Sequence, residues 1–215
     1  MSFRRSPGSA TCLRRCERAI NSIGHRAHLV PQFALQNVAT PQHNLLGQEG
    51  SGLALGLATF TATAALVGIF GVALMRAAFD FALHFARSEK RGGVHPIIDY
   101  QAVGYALADA KTTIEAARYL SWRACHALDT QSPSAGELAV EAKIYGSEAA
   151  VRVISELMQV VGVDSYDHEA PFGPLLQDAL ALPIFDGGNM GVRRRQLHAM
   201  FMQPEYDPLA ACGAA

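Results

Sequence analysis

The chain has 215 residues, half of them hydrophobic and 17% charged. That is enough for one well-packed domain with an appendage, and too apolar for extensive disorder. A formal net charge of -1, without an arginine–aromatic patch, argues against a general nucleic-acid binder.

Residues 1–31 read as an unstructured or transit-like extension. Arg4, Arg5, Arg14, Arg15, Arg18 and Arg26 face a single acid, Glu17, among scattered serines. Gln32 to Val38 is short and mixed and fits one strand. From Ser51 to Met75 no residue is charged, a length that spans a bilayer core. Four glycines and three threonines interrupt that run, no aromatic belt flanks it, and the pattern continues into Phe79, Phe81 and Phe85. These features favour a helix buried on most sides by its neighbours over stable membrane insertion.

The first predicted helix runs from about Leu53 to Ser88 and stops at Arg91-Gly92-Gly93, with Pro96 beyond. The second covers about Ile97 to Leu128. Its seam of Val103, Leu107, Ala110, Ile114, Ala117, Ala124 and Leu128 is broken only at Ser121. The third begins at Ser134 and Glu137, which have capping-box spacing. It carries Val140, Ile144, Val151, Ile154, Met158 and Val161, with Ser147 as the odd member, and ends at Gly162. A shorter helix at about Leu175 to Leu182 and a last one ending near Phe201 complete the set. Long seams with short connections predict an all-α antiparallel bundle.

Between the last two helices lies Phe185-Asp186-Gly187-Gly188-Asn189, followed by Arg193-Arg194-Arg195. The glycines permit a tight turn, Asn189 suits an N-cap, and the arginines favour an ionised Asp186 or meet an anion. Read alone, the segment is also compatible with an N-cap aspartate beside a solvated basic face. The eight histidines show no H-E-x-x-H or comparable pattern, so no metal site is expected. Cys12, Cys16, Cys125 and Cys212 are scattered and read as reduced thiols of an intracellular protein. Nothing separates a mitochondrial from a cytoplasmic or peroxisomal setting.

Several of these segments, in this order, resemble the acyl-CoA dehydrogenase superfamily. Asn44 to Leu53 resembles the exit from its β-domain, and Phe33 to Pro41 its last strand. Arg91-Gly92-Gly93 with Gln101 is similar to the segment between its first two bundle helices. Gln159-Val160-Val161-Gly162 with Tyr166 and Pro171 resembles its Q-x-x-G stretch. Phe185-Asp186-Gly187 falls at its aromatic-Glu-Gly turn, and the aspartate resembles the superfamily's nitroalkane oxidase-like branch. The resemblance implies residues 32–50 as a remnant of the β-domain exit, 51–207 as the C-terminal helical bundle and 208–215 as a tail.

The resemblance also implies FAD as cofactor, a small-molecule substrate of acyl-CoA or nitroalkane type, and a homo-oligomer. Asp186 aligns with the base that removes the α-proton, and Arg193 with the arginine that supports it. Thr63 falls at a serine near the flavin. Arg91 and Gln101 match contacts to the cofactor's phosphate and adenosine portion, often across a subunit boundary. Gln159, Gly162, Gly187 and Gly188 fall in further cofactor-contacting segments. A local reading exists for each: Arg91 as a helix-end cation, Thr63 bonded back to its own helix, Gln101 as a helix cap. The superfamily's preceding domains have no counterpart here. The chain is therefore expected to be either the C-terminal part of a flavoenzyme or a catalytically inactive helical oligomerisation module.

Overall fold

In a computed structural model residues 13–210 are described, in two units, Met1–Leu55 and Gly56–Ala215. Arg4, Arg5, Cys12 and Cys212 lie outside the described residues; Cys16 and Cys125 are free thiols. In the first unit, β1 (Leu13–Ile20) pairs antiparallel with β2 (Val30–Gln36), from Leu13 opposite Gln36 to Ile20 opposite Val30. The register shifts between Cys16 and Arg18. The strand expected near Gln32 is present, shifted towards the N-terminus. β1 corrects the expectation of an unstructured extension over residues 13–20. Arginine content describes a solvated surface, and a solvated strand still pairs through its backbone.

The second unit is the expected antiparallel bundle. Its elements are α1 (Gly52–Ser88), which enters the unit at Gly56, α2 (Gln101–Asp129), α3 (Ala135–Val161), α4 (Phe172–Ala181) and α5 (Arg194–Phe201). The predicted α2 seam is buried from Leu107 through Ala110, Ile114, Ala117, Ser121 and Ala124. Helix α3 buries a wider arc than its predicted seam, adding Leu138, Ala142, Ala149, Ala150, Val153 and Leu157.

Backbone meets backbone where α1 crosses α3. A Cβ built on Gly146 would lie 2.8 Å from Gly68 Cα, and one on Gly71 would lie 2.8 Å from Gly146 C. Small residues at this crossing let the helices approach closely, and Phe81 packs edge-on against Phe172 of α4 nearby. Among the described residues, α1 is the one helix long and apolar enough to cross a bilayer, with 33% of its most apolar window buried. Contrary to the expectation of burial on most sides, only one face is covered. Leu66 and Phe70 on the outer face remain 49% and 50% exposed.

The capping box is not formed. Ser134 stands at the N-cap position of α3 without a side-chain cap bond. Its hydroxyl meets that of Ser132 at 3.0 Å, while Glu137 accepts the Tyr206 hydroxyl at 2.5 Å. The two side chains have better partners outside the helix end, so the sequence spacing is not used.

Candidate active site

After α4 the chain folds back over Pro183–Gly188. Ile184 N–H and Phe185 N–H both donate to the Ala181 carbonyl, at 2.9 and 3.1 Å, and Asn189 N–H donates to that of Pro183 at 2.9 Å. The reversal places two successive residues in the left-handed region, Asp186 at φ 52° and Gly187 at φ 72°. Glycine adopts this conformation freely, whereas an aspartate is held there by its surroundings.

Those surroundings are Thr63 and Arg193. The Asp186 side chain is 9% exposed. The Thr63 hydroxyl lies 3.3 and 3.4 Å from its two carboxylate oxygens, and 3.3 Å from the Phe60 carbonyl of its own helix. Arg193 is almost fully buried, with Nη2 3.6 Å from Asp186 Oδ2. Its shorter bonds go elsewhere: Nε and Nη2 donate to the Asp186 carbonyl at 3.2 and 2.6 Å, Nη2 to the Phe60 carbonyl at 2.6 Å, and Nη1 to Gln196 at 3.0 Å. Arg193 therefore ties the turn's backbone to α1 and faces the carboxylate from the side. Burial lowers its pKa and Asp186 opposes that shift.

Asn189 does not cap a helix, contrary to the sequence expectation. It opens a single π-helical turn, Asn189–Arg193, in which Val192 and Arg193 N–H both donate to the Gly188 carbonyl. Its side chain points inward. Nδ2 donates to Ser147 Oγ at 3.0 Å and Glu148 Oε1 at 3.1 Å, and Oδ1 accepts from Lys143 Nζ at 3.1 Å. Lys143, fully buried on α3, also donates to the carbonyls of Gly187 at 3.2 Å and Leu182 at 3.4 Å. Burial and the neighbouring Arg193 push its pKa down to about 8, against the pull of Asp186 and Glu148. Arg194 clamps Glu148 with bonds of 2.7 and 2.9 Å and holds its pKa down. Sequence reasoning passed over Lys143, although a lysine one residue before the seam position Ile144 was the available signal.

The other candidates sit at the far end of α3. Arg91 donates to the Val161 carbonyl at that helix end, pairs with Asp164 at 2.9 Å and lies 5.2 Å over the Phe85 ring. Gly162 beside it has φ 73°. Gln101 bonds Tyr105 on its own helix. Gln159 lines an open groove between α2 and α3 with Val103, Asp109, Thr113, Arg152 and Glu156. From Lys143 to Gly162 is roughly 28 Å along the helix axis at 1.5 Å per residue. The structure thus joins Thr63, Asp186, Gly187, Gly188 and Arg193 in one cluster and leaves Arg91, Gln101, Gln159 and Gly162 outside it.

The family model described as acyl-CoA dehydrogenase, C-terminal domain, matches residues 50–201. The chain belongs to this family. A nitroalkane oxidase of Podospora anserina is 42% identical over 193 residues, which cover 88% of this chain and 45% of that protein. A cyclohexane-1-carbonyl-CoA dehydrogenase of Geobacter metallireducens is 32% identical over 78% of this chain and 43% of that protein. Among solved structures of the family's relatives, one of the flavoprotein nitroalkane oxidase superposes with a TM-score of 0.89 at 34% identity, covering 92% of this chain and 47% of that one. It concerns the roles of an aspartate and an arginine seven residues later in that enzyme's reaction. The chain spans less than half the length of these curated relatives.

Proposed function

We propose that the helical unit supplies the proton-abstracting part of an FAD-dependent oxidoreductase site, with Asp186 as base and a nitroalkane-type substrate favoured over an acyl-CoA. The observation that carries this reading is the Asp186 turn. A largely buried carboxylate is held in a left-handed backbone, beside a hydroxyl and a buried guanidinium seven residues on. The same order and spacing of aspartate and arginine occur in the related nitroalkane oxidase.

The residues present suit a flavin dinucleotide. Arg91, tied to the end of α3 yet 39% exposed, suits a phosphate, and Gln101 and Gln159 offer amides on the same end of the bundle. Thr63, Gly187 and Gly188 would adjoin the ring. When bound, FAD accepts the electrons released as the substrate carbon loses its proton. Asp186 takes that proton on a carboxylate oxygen, and Thr63 orients the carboxylate through its hydroxyl. Arg193 fixes the turn through the Asp186 carbonyl. An aspartate is a shorter base than the glutamate the acyl-CoA resemblance carries, which suits an already acidic α-proton such as a nitroalkane's. The separation of the two residue groups along α3 suits a homo-oligomer in which one chain's Arg91 end and another's Asp186 end meet the same cofactor. The exposed apolar side chains Leu66 and Phe70 on α1 support such self-association.

The test is to co-express the chain with the amino-terminal half of the Podospora anserina nitroalkane oxidase. FAD content, nitroalkane oxidation and acyl-CoA oxidation are then measured. The expected assembly retains FAD and oxidises nitroalkanes, and Asp186→Asn retains FAD but loses turnover. Full turnover by Asp186→Asn would remove the base assignment.

A further inference from the structure

The proposed reaction leaves Lys143 without a task, although a fully buried ammonium needs strong partners. Its three acceptors mark out the segment that bears the carboxylate. The Leu182 carbonyl lies just before the turn, the Gly187 carbonyl follows Asp186 directly, and the Asn189 side chain opens the π turn beyond it. Asn189 is itself fixed to α3 through Ser147 and Glu148, and Glu148 is clamped by Arg194. The charged groups facing Lys143 are Arg193, Asp186 and Glu148.

We infer that Lys143 is a positioning residue: from α3 its ammonium latches both ends of the Leu182–Asn189 turn and so sets where the Asp186 carboxylate points. The inference rests on the reading of Asp186 as base. Arg193 cannot replace this latch, because its bonds reach the Asp186 carbonyl, Phe60 and Gln196 and none reaches the Leu182 side of the turn. With the latch gone, Arg193 still holds the Asp186 carbonyl, but the Leu182, Gly187 and Asn189 ties to α3 are lost and the turn shifts about that single anchor, which carries the carboxylate away from Thr63. As a positioning residue Lys143 acts through Gly187 and Asn189 rather than on substrate or cofactor.

The first test uses the full chain. Hydrogen exchange of the Asn189 amide, which donates to Pro183, should quicken about tenfold or more in Lys143→Met, while the central amides of α2 and α3 keep their protection. The second test uses the co-expressed assembly with the Podospora anserina half. There Lys143→Met should lower kcat for a nitroalkane by about 100-fold, the scale expected for a misplaced catalytic group. KM and FAD content should stay close to the parent, and the deuterium isotope effect on α-proton removal should rise. Asn189→Ala removes one of the three acceptors and keeps the lysine, so it should give a smaller change in the same direction. It serves as the deciding variant if Lys143→Met does not fold. Unchanged turn exchange, or an unchanged kcat at full FAD content, overturns the latch. Asp186→Asn in the same assembly separates the two ideas. If it keeps turnover the base reading fails, whereas if it loses turnover and Lys143→Met does not, only the latch fails.

Discussion

Asp186→Asn and Arg193→Met should have very different effects on stability, although the two side chains face each other. The Asp186 carboxylate has one hydroxyl near it, at 3.3 and 3.4 Å, longer than a good O–H···O bond. Asparagine keeps an oxygen there and tolerates the left-handed backbone. Arg193 retains its bonds to the Asp186 carbonyl, Phe60 and Gln196 after that change. The Coulombic attractions to Arg193 across 3.6 Å and to Lys143 are lost, and the cost of desolvating the carboxylate disappears with them. A net loss of about 1–2 kcal/mol follows. Arg193→Met is harsher. It strips the Asp186 carbonyl of its guanidinium bonds, takes one donor from the Phe60 carbonyl, which keeps the Thr63 hydroxyl, and leaves the carboxylate facing an apolar side chain, a loss of about 3–5 kcal/mol.

The assay is urea unfolding of the full chain near neutral pH, followed by far-UV circular dichroism, with each single variant and the double variant. The double variant should be about 1–2 kcal/mol more stable than the two single losses combined would give, since the orphaned carboxylate is gone. Equal losses for Asp186→Asn and Arg193→Met would refute the reasoning, because they would make the carboxylate the principal partner of Arg193. The contrast also protects the functional test, since Asp186→Asn must leave the fold in place for its loss of turnover to be informative.

Two further outcomes are expected. Gly71→Ala should lower the melting temperature, because the added methyl meets the Gly146 backbone, which cannot rotate away. The strain of about 1–3 kcal/mol outweighs a gain of about 1 kcal/mol in helix propensity. At Gly104 of α2 a Cβ meets nothing within 4 Å, so Gly104→Ala should raise it, and a matching sign at the two sites in thermal scans would count against the α1–α3 crossing. Lys143 titrates at about 8 in the folded chain against 10.5 unfolded. Between those values the unfolded chain holds the extra proton, so its contribution to stability rises with pH, by about 3 kcal/mol in all. Urea titrations across that window should show the rise in the parent and its absence in Lys143→Met; parallel curves would place the lysine in contact with water.

The long helices were legible because their seams repeat apolar residues at helical spacing. On α2 nothing but Ser121 breaks the repeat, and the structure buries the predicted positions from Leu107 to Ala124, with Val103 and Leu128 half-buried at the ends. On α3 the periodic reading caught one edge of the buried arc. Ala142, Ala149 and Ala150 are buried beside it, and alanine reads equally well as core or as surface. The Gly68, Gly71 and Gly146 crossing was invisible for a related reason: a glycine in a helix signals flexibility to a sequence reading and close approach only once its neighbour is known. Ser134 and Glu137 failed oppositely, having the right spacing but stronger partners in Ser132 and Tyr206.

The candidate site divides along the same line. Asp186, Gly187 and Arg193 announce themselves because the chemistry of the turn is local, an acid, a residue free to turn and a cation within one segment. Asn189 carried the signature of a cap, and a cap is what a local reading must choose when Lys143 is out of view. The ammonium that reaches its side-chain oxygen comes from another helix. Once it is there, the asparagine is worth more inside, bonded at both ends, than outside satisfying one backbone N–H, so the helix start gives way to a π turn. The device that aims the carboxylate is therefore tertiary, even though the carboxylate itself is not. A screen of related chains by turn motif alone would retain those with an aspartate and the following arginine and miss whether the latch is intact. Asking also for a lysine in the α3 position of Lys143 tests for the part of the site that a local motif leaves out.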